Sequence, residues 1–212
     1  MWEREPNRKL KILTDQNLVQ DSDGYSEVFN QVGREIELLT NSHILKQDVN
    51  FVSHLKYDKI GDFEIYIGPY PQNEDDILKL SSEGITAVLN VQTDLDMTHR
   101  QVNWQHILKV YKHHNIEIKR HPIRDFDQQD LINRLRGAAD LLKELADQDK
   151  NVYVHCTAGM SRAAATVIAY LVIYRSYSLE EAYEYVKTHR PIICPNINAL
   201  TEVIKQQELG EF

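Results

Sequence analysis

Cysteine is scarce in this chain of 212 residues, which holds two, Cys156 and Cys194. Two are too few for a disulfide scaffold, so an apolar core must hold the fold, and a reducing compartment would keep a thiol free to react. Long hydrophobic runs are missing too, since none approaches the roughly eighteen residues that span a bilayer. The opening MWEREPNRKL is charged where a secretory leader would be apolar, and a cytoplasmic protein with no membrane partner is expected. Excess positive charge is also lacking: 24 Lys and Arg against 32 Asp and Glu give a formal net charge of -8. That balance opposes nonspecific attraction to nucleic acid or anionic lipid, and no nucleic-acid partner is expected. The 9 histidines show no HExxH or comparable ligand spacing, so no metal site is expected. What is present, with 42% hydrophobic residues, is the composition of a globular protein with one main core.

The first sixty or so residues carry no clean period; Asp21 to Gly24 reads as a turn, and 25–47 mixes polar and apolar residues. From Phe63 the pattern sharpens. FEIYIG alternates as a strand does, and NEDDILKLSSEG supplies an Asn cap, acids in the first turn and a closing Gly84, as a helix does. ITAVLNVQ predicts a strand, THRQVNWQHILKVYKHHN a single helix, IEIKRHPI a strand, LINRLRGAADLLKELADQ a helix and NVYVHC a strand. Helical stretches follow at 161–175, 178–189 and 196–208. Alternation of this kind predicts an α/β fold, a mostly parallel central sheet flanked by helices.

In such sheets ligands bind where a strand's carboxyl end turns into a helix. Cys156 stands there, between NVYVHC and the helix that starts near Ser161. The turn leaves backbone N–H groups of 157–162 free to converge on an anion, helped by the helix N-terminus. Gly159 permits the tight path. The same positive field favours a thiolate nucleophile, and Arg162 can hold two oxygens of a phosphoryl group in its planar fork. A buried structural cysteine beside a surface arginine is the plainer alternative. Against it, His-Cys-x-x-Gly-x-x-Arg should arise by chance on the order of once in a few thousand chains of this length.

HCTAGMSR, residues 155–162, resembles the signature loop of the cysteine-dependent phosphatases, and the chain length resembles their dual-specificity branch. The resemblance implies the dual-specificity phosphatase fold, attack by Cys156 on phosphorus, a phosphocysteine that water hydrolyses, and no cofactor. It also implies a phosphate cradle made by Thr157, Ala158, Gly159, Met160, Ser161 and Arg162. An acid must protonate the leaving oxygen. Asp125 in HPIRDFDQQDL lies 31 residues before Cys156, close to the spacing of that branch. Asp127 and Asp130 are rivals, although Asp130, just before LINRL, has the look of a helix cap.

Dual-specificity loops commonly place Ser or Thr after the arginine, where its hydroxyl helps the thiolate leave; this chain has Ala163. CTAGM-x-RA resembles the loop of the glucan phosphatases, the laforin and plant starch-phosphatase group, although Ser161 departs from the glycine usual there. GITAVLNVQTDLD resembles a laforin segment in which a strand ends in Gln-Thr and an acidic pair. RDFDQQDL resembles the plant acid loop, where an aromatic residue, here Phe126, packs on sugar; a core anchor for the loop is the alternative. Trp104 stands near where plant enzymes carry an aromatic platform that this chain lacks at His99-Arg100. Asn196 falls in RPIICPNINAL, which resembles their Arg-Pro…Pro-Asn segment, and Cys194 there is either buried or able to pair with Cys156 under oxidation. Trp2 to Arg8 resembles the final strand of a starch-binding domain. The expected organisation is therefore a remnant of such a domain at 1–13, an extension at 14–60 and a phosphatase domain at 61–212. The implied partner is a phosphorylated glucan, with a phosphoprotein as the alternative. A phosphoinositide would call for loop lysines, and TAGMS has none.

Overall fold

The computed structural model describes residues 53–210; the turn at 21–24, the remnant expected at 1–13 and most of the extension lie outside the described residues. Along the chain come β1 (Asp58–Lys59), β2 (Ile65–Gly68), α1 (Glu74–Ser82), β3 (Ala87–Asn90), α2 (Asp94–His99) and α3 (Trp104–His113). They are followed by β4 (Glu117–Arg120), α4 (Gln128–Ala146), β5 (Val152–His155), α5 (Arg162–Arg175), α6 (Leu179–His189) and α7 (Ile197–Leu209). The sheet order is β1-β2-β5-β3-β4. Only the two-residue β1 runs antiparallel, pairing Asp58 with Ile67 and Lys59 with Tyr66. The α/β fold is thus the expected one, with an edge strand that the polar sequence before Phe63 did not announce.

Register sets where the site falls. Gly68 and Asn90 both pair with His155, and Asn90 pairs with Arg120, so four strands end level and the segment after His155 emerges at the middle of the carboxyl edge. β5 is buried on both faces, as a central parallel strand must be. Val152 and Val154 face a core shared with α4 and α5, while Tyr153 faces a second core with Ile77, Leu80, Val110 and Tyr111. Helix α5 runs through the first core; every residue from Arg162 to Leu171 is buried.

Two boundaries differ from those read in the sequence. The single helix expected over 98–115 is two. Thr93 opens α2 with a capping box to Asp96, and Asn103 opens α3 by accepting from the His106 N–H; two good caps ten residues apart in sequence end one helix and start another. Helix α4 is capped by Asp127, whose side chain accepts from the Asp130 N–H, rather than by Asp130. Asp130 sits in the first turn, accepting from the Arg124 N–H at 2.7 Å and Arg134 Nε at 3.0 Å.

Candidate active site

The loop between β5 and α5 depends on glycine at two places. Gly159 has φ +65°, and a Cβ there would lie 2.3 Å from the carbonyl of Gly68. A Cβ on Gly68 would in turn lie 2.1 Å from the Tyr153 hydroxyl, which donates to the Pro69 carbonyl at 2.6 Å. The end of β2 and the loop therefore touch backbone to backbone. Tucked inside, Cys156 is 3% exposed and its Sγ accepts the Gly159 N–H at 3.3 Å. Ser161 opens α5 without a side-chain cap, leaving the helix N-terminus, a partial positive charge, to face the loop.

Arg162 is buried to 2% exposure. Its Nη1 donates to Asp96 Oδ2 at 2.7 Å and to the Ile123 carbonyl at 2.9 Å. Nη2 donates to Asp125 Oδ2 at 2.8 Å and Thr157 Oγ1 at 3.3 Å, while Nε makes no hydrogen bond among the described residues. Thr157 Oγ1 also accepts from Gln92 Nε2 at 3.2 Å. Burial acts to raise the Asp96 carboxyl, but the hydrogen bonds from Arg162 and Thr93 outweigh it and hold the group below its ordinary value. On the far side of the loop a second buried arginine, Arg190, donates from Nε to the Gly159 carbonyl at 2.8 Å and from Nη1 to Asp58 Oδ2 at 2.6 Å. The Cys194 N–H adds a bond to the Met160 carbonyl at 2.9 Å.

These groups open onto a cleft of about 580 Å³ whose lining includes Cys156, Ala158, Met160, Ser161, Arg162, Asp125, Phe126, Asp127, Cys194 and Asn196. The structure thus gathers the cysteine, the arginine, the first-choice acid and two of the three suggested sugar contacts. Phe126 is fully exposed, so it is no core anchor, and its φ of +57° is unusual for an aromatic residue. Asn196 caps α7 through the Ala199 N–H and reaches Gln128 Oε1 at 3.3 Å. Trp104 does not join them. It is half-buried against the second core, and the Arg120 guanidinium lies 5.0 Å from its ring centroid, because the separate cap at Asn103 sets it at the start of α3. Cys194 is exposed rather than buried, and both cysteines are free. Among the described residues no cluster of three or more His, Cys, Asp or Glu is placed to hold a metal ion, and no helix is long and apolar enough to cross a membrane.

Asp96, Arg190 and Asp58 were not among the residues singled out in the sequence. Asp96 carried a signal, the Thr-x-x-Asp pattern of a capping box, and Arg190 opens the quoted segment RPIICPNINAL; Asp58, 132 positions before Arg190, carried none.

The chain matches the family described as dual specificity phosphatase, catalytic domain, over residues 65–208. It is 35% identical over 150 residues to the chloroplastic phosphoglucan phosphatase LSF1 of Arabidopsis thaliana, covering 68% of this chain and 25% of that protein. It is 31% identical over 154 residues to dual specificity protein phosphatase 1 of Mus musculus, covering 70% of this chain and 38% of that protein. The chain therefore spans a quarter to two fifths of the full length of these relatives. Among solved structures, PTPMT1 superposes with a TM-score of 0.58 at 23% identity, covering 73% of this chain and 95% of that one. The human tyrosine phosphatase-like serine/threonine/tyrosine-interacting protein gives 0.59 at 21%, covering 74% and 98%; both share the fold.

Two outcomes follow from this geometry. Gly159→Ala should abolish turnover, because the added Cβ strikes the Gly68 backbone in a left-handed conformation; phosphate release near that of the parent would contradict the close approach. His155, fully buried with its Nδ1 3.3 Å from the Cys156 carbonyl, is pushed down to about 4 by burial. Between about pH 6.5 and 4 the unfolded chain binds a proton that the folded one refuses, so stability falls as pH falls through that window, by up to about 3 kcal/mol. Urea midpoints at pH 7 and pH 4.5 should converge in His155→Asn relative to the parent.

Proposed function

Since the chain belongs to the dual-specificity phosphatase family and is a cysteine-based phosphatase, we propose that it hydrolyses phosphate monoesters on a glycogen- or starch-like glucan. The Cys156 thiolate attacks phosphorus; the S–P bond forms as the P–O bond to the sugar breaks, and Asp125 gives its proton to the departing oxygen. Water then attacks the phosphocysteine, Asp125 takes its proton back, and the thiolate leaves as inorganic phosphate is released. Arg162 and the loop N–H groups of Thr157 to Arg162 offset the charge on the equatorial oxygens. Asp125 is preferred over its rivals because it reaches Arg162 at the cleft, whereas Asp127 caps α4 and Asp130 is bound to Arg124 and Arg134. Ala163, fully buried behind the arginine, offers no hydroxyl to the leaving thiolate, and the helix N-terminus and the Gly159 N–H carry that task.

Phe126 carries the substrate reading. An exposed aromatic ring beside the acid, on a backbone conformation that disfavours it, suits a flat sugar face delivered next to Cys156. Its identity to a phosphoglucan phosphatase supports the same reading. The comparable identity to a dual specificity protein phosphatase supports phosphotyrosine, phosphoserine or phosphothreonine as the second reading. Two free cysteines suit a reducing compartment such as the cytoplasm.

Phosphate release from solubilised amylopectin or glycogen should exceed release from phosphopeptides, with Cys156→Ser as the blank, and Phe126→Ala should lose polymer activity while keeping activity on a small aryl phosphate. Equal or better activity on peptides sinks the glucan assignment. Asp125→Asn should cost about 10²–10⁴-fold on a sugar phosphate, whose alkoxide is a poor leaving group, and far less on an activated aryl phosphate; equal losses on both would remove it as the acid.

A further inference from the structure

A second concavity, of about 470 Å³, runs along one face of α6 and shares no lining residue with the catalytic cleft. One end is Arg175, the last residue of α5, which lies about 20 Å from Arg162 at about 1.5 Å of rise per residue. The other end is His189, next to the Arg190 that holds the Gly159 carbonyl. Its floor is made of rings. Ser176 ends α5 in the left-handed region at φ +60°, and the Tyr177 ring that follows lies 5.5 Å from that of Tyr185, which lies 4.7 Å from His189 one turn on. Phe63 meets both tyrosines edge-on, at 6.4 and 5.9 Å. The rim is polar: Glu181, Glu184 and Thr188 are exposed along α6. No Ala, Val, Leu, Ile or Met lines this groove.

We infer that this groove is a second glucan-binding site, which holds an unphosphorylated stretch of the same polymer whose phosphorylated unit occupies the cleft. The inference rests on the glucan reading given above. Its chemistry comes from the lining. Each pyranose has an apolar face of C–H groups that stacks on an aromatic ring, and a girdle of hydroxyls that needs donors and acceptors around it. Both are supplied here, because much of the polar rim has no other work. Glu181 accepts the Ser178 N–H through Oε2 at 2.8 Å, which leaves Oε1. His189 donates from Nδ1 to the Tyr185 carbonyl at 2.8 Å, which leaves Nε2, and Arg175 uses only Nε, on the Tyr170 hydroxyl at 2.9 Å. Glu184 and Thr188 make no side-chain hydrogen bond or ion pair among the described residues. Two carboxylates against one guanidinium disfavour a phosphate, and a groove without aliphatic lining gives a peptide's apolar side chains no pocket. An uncharged polyol fits both conditions. A polymer held at two places on one protein leaves more slowly than one held at the cleft alone.

The test uses the full chain carrying Cys156→Ser, which cannot turn over, and unphosphorylated glycogen as the probe in affinity electrophoresis. Adding Thr188→Arg, a long side chain laid over the floor from an exposed helical position, should weaken retention about tenfold. Tyr177→Ala should weaken it by a similar factor, and Tyr177→Phe should keep it within about twofold, because stacking needs the ring and not the hydroxyl. In the active chain Thr188→Arg should raise KM on solubilised amylopectin about three- to tenfold, with kcat and the hydrolysis of a small aryl phosphate unchanged. Retention equal to the parent's in Thr188→Arg and Tyr177→Ala overturns the inference, as does retention that Phe126→Ala alone abolishes. Should Tyr177→Ala fail to fold, Thr188→Arg decides by itself. The two readings fail separately. A chain that prefers phosphopeptides yet loses glycogen retention with Thr188→Arg overturns the substrate proposed above and keeps the groove; one that releases phosphate from amylopectin with a KM untouched by Thr188→Arg overturns the groove and keeps the substrate.

Discussion

A guanidinium at 2% exposure is among the costliest groups to bury in the described residues, and its compensation organises the site around it. Taking such a charge out of water costs several kcal/mol unless the partners are close and well aimed. Arg162 cannot escape to solvent, because it opens a helix whose next nine residues are also buried. Its partners must come to it. They do so from three separate stretches of chain: Asp96 from α2, Ile123 and Asp125 from the segment between β4 and α4, and Thr157 from the loop itself. Stability and readiness for chemistry rest on the same bonds, since whatever neutralises the arginine also aims it.

The carbonyl side of the loop is met by a second buried arginine. Arg190, 3% exposed, ties the Gly159 carbonyl to Asp58 on the edge strand β1. A two-residue strand is a weak element by itself, and this ion pair gives it a reason to be in the sheet. With Arg162 fixed from one side and Gly159 from the other, the turn between Cys156 and α5 has little freedom to reorganise. That is what a set of donors aimed at a developing charge requires, because any motion during the reaction would be added to the barrier.

What could be read from the residues was local. Alternating strands and helices, the Cys-x-x-Gly-x-x-Arg turn and the run of caps each depend on neighbours a few positions apart, and the fold and the core of the site follow from them. Asp96 lies 66 positions before Arg162, and Arg190 lies 31 after Gly159; only the level ends of β2, β5, β3 and β4 bring them together. The division of 98–115 into two helices was written in Thr93-x-x-Asp96 and Asn103, but the apolar spacing on either side masked it. Asp127, not Asp130, is the cap of α4, and the left-handed turn at Phe126 directly precedes it. Trp104 shows the converse, an aromatic near the right stretch of sequence that the helix start turns onto the core and under Arg120.

The left-handed φ of Phe126 bears on substrate as well as on the cap. Holding a residue with a Cβ in that region costs roughly 1–2 kcal/mol, and leaving its ring fully exposed forfeits the burial that would normally offset the cost. The conformation serves two neighbours at once: Asp125 is turned inward to Arg162 while the next side chain is thrown outward to the rim. Acid and aromatic are therefore placed by one backbone bend, at a distance of one residue. On the proposed glucan reading, a ligand stacked on the ring would have its ester oxygen delivered to Asp125, which would tie contact with the polymer to protonation of the leaving group. A chain of charge -8 meets little repulsion from a mostly neutral glucan, whereas a densely phosphorylated ligand would find one guanidinium edge and no loop lysine to receive it.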